Sequence, residues 1–168
     1  MTCHVWHGGV QVDFTQTIAA TRLADADIVG LPEPDGNTAR IAAAAGYPDV
    51  DLRRHIISRR PLFESGLGSR TDTGQTPDSM AGLDRDAAHT WAMVTPGQVV
   101  AVANLHLTSD PDGPDILLAD GSIEEALANE AATRLPEIAP LIAALAPLVA
   151  AGTPVFVTGD VNSPSHLD

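Results

Sequence analysis

The stretch Val155-Phe156-Val157-Thr158-Gly159-Asp160-Val161-Asn162 is an apolar run that ends in polar side chains. Four β-prone residues predict a short buried strand over Val155–Thr158. Side chains two apart on an extended chain point the same way, so Asp160 and Asn162 are expected to converge on one ligand. The pattern occurs twice more. Asp27 to Leu31 (DIVGL) predicts a buried strand, stopped by Pro32 and Pro34 with Glu33 between them. Asn104-Leu105-His106 repeats the i, i+2 spacing at the end of the longest β-rich run, Val99–Leu107. Ligands of α/β sheets gather at strand ends. Carboxylate and carboxamide oxygens are hard donors, suited to Mg²⁺ or Mn²⁺. Each feature alone has a bland reading: a loop acid, an Asx turn or a structural histidine. Their joint order along the chain is what points to a site.

Working outward, Cys3–His7 reads as a short strand, and Thr15 caps a helix to Leu23 with Ile18 and Leu23 facing inward. Asn37 caps a second helix through Ala45, which Gly46 ends. His55–Ser58 reads as a strand. Thr90–Val94 and Val99–Leu107 flank Thr95-Pro96-Gly97-Gln98, a hairpin turn with Pro and Gly at its centre. Glu64–Asp86 and Asp110–Gly121 read as loops. Ser122 and Glu125 form a capping box. It opens a helix whose apolar residues recur at Leu127, Ala131, Leu135, Ile138, Ile142, Leu145 and Val149. Pro136 and Pro140 should kink or divide it. Hairpins mixed with strand–helix–strand units predict an α/β chain with a mixed sheet.

With 168 residues the chain suffices for one domain, and 44% apolar content argues for a folded core. All nine basic residues are arginine and the formal charge is −13. So acidic a surface disfavours long nucleic acid as partner. Arg53, Arg54, Arg59 and Arg60 form a cluster readable as a solvated strand flank or as a phosphate-contacting patch. A single cysteine, Cys3, excludes an intrachain disulfide. No signal peptide is visible, which gives a cytoplasmic expectation. The apolar run Ile138–Val149 is broken by Pro140 and Pro147 and is too short for a membrane span.

Several motifs carry a family resemblance. Phe156–Asp168 (FVTGDVNSPSHLD) resembles the G-D-x-N-S-P-S-H-L-D signature of the endonuclease/exonuclease/phosphatase family, whose fold is that of deoxyribonuclease I. DIVGLPE resembles that family's strand ending in a metal-binding Glu, Ser58-Arg59-Arg60-Pro61 its S-R-x-P strand, and Asn104–Leu107 (NLHL) its N-x-H-L motif. Asp112-Gly113-Pro114 resembles a nearby loop, Arg134 an Arg of the long helix, and Val5–Gly9 the opening of one bacterial branch.

The resemblance implies a metal-dependent phosphoester hydrolase. Residues 1–168 would be the N-terminal part of a four-layer α/β/β/α sandwich with mixed, largely antiparallel sheets, incomplete at the C-terminus. It implies Glu33 as ligand to Mg²⁺ or Mn²⁺, with His4 as a further candidate, and Asp160, Asn162, His106 and Asn104 as catalytic residues acting on a phosphoester substrate. Three positions depart from the pattern. His4 stands where the family carries Asn, Pro32 where it carries Gln, and no closing Asp-His pair occurs before Asp168. These departures raise two alternatives: a catalytically inactive remnant of the family, or a non-catalytic α/β binding module. They also imply an exposed sheet face through which copies would self-associate.

Overall fold

The computed structural model describes residues 1–11, 13–64 and 88–163. After a 3₁₀ turn at His7–Gly9, the elements are α1 (Phe14–Leu23), β1 (Ile28–Gly30), α2 (Thr38–Ala45), β2 (Asp49–Asp51), β3 (Ile56–Ser58), β4 (Leu62–Glu64), β5 (Thr90–Thr95), β6 (Gln98–His106), α3 (Gly113–Leu118), α4 (Ile123–Ala150) and β7 (Val155–Asp160). One sheet has the order β1-β3-β2, with both pairings antiparallel. The other has the order β4-β5-β6-β7, antiparallel except for the parallel pair β6–β7. The class is α/β with largely antiparallel sheets, as expected.

Strand alternation stacks the layers. Ile57 of β3 and Val29 of β1 pack against Ile18 of α1 and Ile41 of α2. Ile56, one residue earlier and therefore on the opposite face, packs instead against Ala92, Val100 and Val102 of the second sheet. Ala103 and Leu105 of β6 turn the other way, onto Leu141 and Leu145 of α4. Helices, sheet, sheet and helix thus follow one another. Asn104 and His106 share the parity of Val102, so they lie on the inner face between the sheets.

Local expectations fared unevenly. The hairpin forms around Pro96-Gly97, and the capping box at Ser122 and Glu125 is made from both sides. The cap of α1 is Asp13, whose carboxylate accepts from the amides of Thr15 and Gln16. Ile18 is buried but Leu23 is 87% exposed. Thr21, three residues from Ile18, shares its face, whereas Leu23 at five residues lies on the far side. Asn37 sits before α2 without a capping bond and donates instead to the Gly8 carbonyl.

Cys3–His7 is not a strand. The preceding Thr2 makes an isolated parallel bridge to Gly30, and positive φ at Trp6 and His7 then turns the chain away. The segment 110–121 contains α3, capped by Asp112. β2 and β4 escape sequence reading: they are as short as β1 and β3 but lack an apolar run, with acids at Asp49, Asp51 and Glu64. The long loop expected over Glu64–Asp86 lies outside the described residues, apart from Glu64 in β4.

α4 is a single helix despite Pro136, Pro140 and Pro147. All three prolines are exposed, as are Ala132, Pro136 and Ala143, whose carbonyls lose their partners. Water can take those carbonyls, so the helix runs through. Its buried side is Ala126, Arg134, Glu137, Leu141 and Leu145, while Leu127, Leu135, Ile142 and Val149 of the apolar stripe stay exposed. By length and composition alone this helix could cross a bilayer. β7, expected to be buried, lies at one edge of its sheet among the described residues, with Phe156 and Val157 exposed.

Two imidazoles, the half-buried His55 and the buried His89, make stability depend on pH. His55 donates to or accepts from Thr38 Oγ1 at 2.8 Å, and its Nε2 is buried without a hydrogen-bond partner among the described residues. Burial lowers its pKa against the opposing pull of Asp51 and Asp35. Burial and then the Arg54 charge lower that of His89. Both groups fold neutral, with folded pKa values below the unfolded value of about 6.5. Above that value their contribution is complete. As pH falls through it the unfolded chain binds protons first, so stability drops until the lowered folded pKa is passed. Urea midpoints should therefore fall as pH is lowered below about 6.5, and His55→Gln should flatten the slope.

Candidate active site

The site forms where three strand ends and the N-terminal segment meet. β6 and β7 run parallel with His106 opposite Asp160, so both side chains leave the same end of the inner face. The first five residues run alongside β1, through Cys3 N to Gly30 O and Val5 N to Pro32 O at 2.9 and 3.2 Å. This sets His4 beside Glu33. Glu33 itself has φ 53, a left-handed conformation rare for a side-chain-bearing residue, held between Pro32 and Pro34. Such strain persists only where surroundings impose it, and it gathers at functional sites. The His7 amide approaches Glu33 Oε2 at 3.4 Å.

His4 Nε2 lies 3.6 Å from Glu33 Oε1 and 3.4 Å from Asp160 Oδ2. His106 Nε2 lies 3.4 Å from the same Glu33 oxygen. The two imidazoles stand edge to face, with ring centroids 5.6 Å apart. His4, His106 and Asp160 form a set of ligand atoms all within 4.8 Å of one another, and Glu33 joins through its two histidine contacts. All four side chains are between 23% and 34% exposed, so the site is open to a ligand.

The donor set fits a divalent cation. It offers two carboxylates and two neutral-capable imidazoles at separations too long for good hydrogen bonds. Ligand atoms about 2.1 Å from a shared ion lie roughly 3 to 4 Å apart, the range of the His4–Glu33, His4–Asp160 and His106–Glu33 separations here.

The two asparagines are engaged elsewhere. Asn104 Nδ2 donates to Arg54 O at 3.0 Å and its Oδ1 accepts from Thr158 Oγ1 at 3.1 Å. It braces the two sheets together. Asn162 Nδ2 donates to Leu107 O at 2.7 Å, and its backbone amide donates to Asp160 Oδ1 at 2.8 Å. β7 ends at Asp160 and Asn162 has φ 45, so the extended-strand argument for a shared direction does not hold at this residue. Asn162 instead orients the Asp160 carboxylate.

α4 holds the loop that follows His106. Glu137 accepts from Thr108 N and Oγ1 at 2.9 and 2.5 Å, and Arg134 donates to Ser109 O at 2.6 Å. Arg134, paired with Glu130 at 2.9 Å, is buried away from the four-residue cluster. Three of the four clustered arginines are engaged by carboxylates, and Arg53 is exposed. Arg54 is buried on Asp51 at 2.6 Å, Arg59 meets Asp25 at 2.5 Å, and Arg60 meets Asp27 at 3.0 Å.

Sequence reading missed Gly30 and Thr158. A methyl group on Gly30 would overlap Thr158 Oγ1 and Asn104 Oδ1, so only glycine lets the two sheets close at this point. A glycine inside an apolar strand is the signal that marks such close approach.

Over residues 9–168 the chain matches the family model described as Endonuclease/Exonuclease/phosphatase family. No curated protein and no solved structure matches it.

Proposed function

The chain belongs to the endonuclease/exonuclease/phosphatase family, and we propose from this that it hydrolyses phosphoesters with a divalent ion, Mg²⁺ or Mn²⁺, held at the cluster of Glu33, His4, His106 and Asp160. The single observation that carries the reading is the convergence of these four side chains from three separate strand ends and the N-terminal segment.

Asp160 is the base. One carboxylate oxygen is fixed by the Asn162 amide, which leaves Oδ2 facing His4 and the open site. It takes the proton of a water whose oxygen attacks phosphorus as the ester P–O bond breaks, and the ester oxygen leaves as an alkoxide or phenolate that solvent protonates. His106, on the neighbouring strand, would hold the ion through Nε2 beside Glu33 and so bring its charge to the phosphoryl oxygens that gain charge in the transition state. Glu33 contributes negative charge and a ligand oxygen, and its strained backbone keeps the carboxylate aimed inward. A bound divalent ion supplies Lewis-acid stabilisation of the phosphoryl oxygens. Asn104 and Asn162 act as positioning residues. The formal charge of −13 and the engagement of Arg54, Arg59 and Arg60 by carboxylates favour a small phosphoester over a long nucleic acid.

Hydrolysis of bis-p-nitrophenyl phosphate in Mn²⁺ tests the reading, with Asp160→Asn as the control. A second reading, a family member that binds metal without turnover, is favoured by the engagement of both asparagine carboxamides within the protein. Metal binding with no hydrolysis of any phosphoester would select it.

Self-association is a further part of the proposal. Phe156, Val157 and Val161 on the edge of the second sheet lie exposed, as do Leu135 and Ile142 of α4. Size-exclusion chromatography with light scattering should show species larger than 17.4 kDa. A clean monomer that binds no apolar dye would remove this part.

A further inference from the structure

We propose that this site selects a nitrogen-accepting transition ion of the Mn²⁺–Zn²⁺ series over Mg²⁺, and that His4 sets the selection. The inference rests on the reading that the cluster holds a cation, and it concerns which cation. Mg²⁺ demands oxygen ligands in near-ideal octahedral geometry and gives up its waters reluctantly. Two of the four side chains here present imidazole nitrogen, and in the tightest three-residue set nitrogen outnumbers oxygen. Imidazole suits manganese weakly and zinc strongly, and affinities for nitrogen-bearing sites rise along the first-row series.

His4 holds the key position. Its Nε2 lies within 4 Å of both carboxylates, at 3.6 Å from Glu33 and 3.4 Å from Asp160. His106 reaches Glu33 at 3.4 Å. An ion placed among these atoms therefore takes His4 as a shared ligand. The side chain is partly exposed, and among the described residues its close polar contacts are the two carboxylates, so its replacement acts on the site and not on the backbone ladder.

The test is metal binding read without turnover. Calorimetric titration of the full chain with Zn²⁺, Mn²⁺ and Mg²⁺ is compared with that of His4→Asn and His4→Gln. The electron spin echo of the Mn²⁺-loaded protein reports ¹⁴N ligands directly. We expect Zn²⁺ to bind at least on the order of 100-fold tighter than Mg²⁺, and both variants to lose on the order of 10- to 100-fold in Zn²⁺ affinity with little change in Mg²⁺ affinity. The spin echo should carry nitrogen modulation that weakens in both variants. Mg²⁺ bound as tightly as Zn²⁺, or a Mn²⁺ complex with no nitrogen modulation, would overturn the inference and leave the hydrolase reading standing. Wild-type affinity in both His4 variants would also overturn it. If none of the three ions binds, the inference and the proposed function fall together. Thermal melts of the variants, expected at the wild-type midpoint, separate ligand loss from misfolding.

Discussion

Asp160→Asn should lower hydrolysis of bis-p-nitrophenyl phosphate by about 100- to 10,000-fold, the range for removing a general base, while leaving the melting temperature unchanged. The substitution is chosen for what it preserves. Asn keeps an Oδ1 atom to accept from the Asn162 amide, which lies 2.8 Å from the present carboxylate. The turn after β7 therefore retains its bond. What disappears is the charge that takes the proton and one hard oxygen beside His4 at 3.4 Å. Initial rates in Mn²⁺ across substrate concentration, on samples matched by circular dichroism, provide the comparison. Activity equal to wild type in the variant would place the chemistry elsewhere or in a contaminant. His106→Ala should lose rate too, by loss of a nitrogen ligand beside Glu33, and is expected to be on the order of 100-fold slower.

The second large effect is on stability. Gly159→Ala should cost about 3 kcal/mol or more, the sum of an overpacked contact and a strained backbone. Gly159 has φ +143, a region L side chains rarely adopt, and a methyl group there would overlap the carbonyl of Leu105 on the neighbouring strand. That neighbour is backbone within the parallel β6–β7 ladder, so it cannot rotate away. With about 2–4 °C of melting temperature per kcal/mol at this chain length, a fall of roughly 10 °C is expected by calorimetry. The residue lies between Thr158, which bonds Asn104, and Asp160. Activity should therefore drop along with stability, unlike the selective loss in Asp160→Asn. An alanine variant that melts with the wild type would mean that β7 docks on β6 differently.

The candidate site was more legible in the chain than the layers around it. Glu33, His106 and Asp160 stand out because each polar group follows an apolar run, and a strand must end where its alternation is broken. Gly46 and the Ser122–Glu125 box likewise act over one turn of chain, and both behave as local chemistry requires. α4 shows where local reading stops. Its apolar stripe at Leu127, Leu135, Ile142 and Val149 has helical spacing, yet the face that packs on the second sheet carries Arg134 and Glu137. Those two polar groups are buried because the loop after His106 offers them Thr108 and Ser109 as partners. That compensation depends on a segment twenty-odd residues away.

Sequence by itself determined the α/β class, the acids and the histidine that follow apolar runs, and the acidic balance of the chain, because periodicity and charge are properties of the chain. Only the tertiary structure decided that His4 joins Glu33, His106 and Asp160, and that Asn104 and Asn162 turn back into the protein. The physical reason is the glycine contact at Gly30, where two sheets approach closely enough to align strand ends whose residues are far apart in sequence.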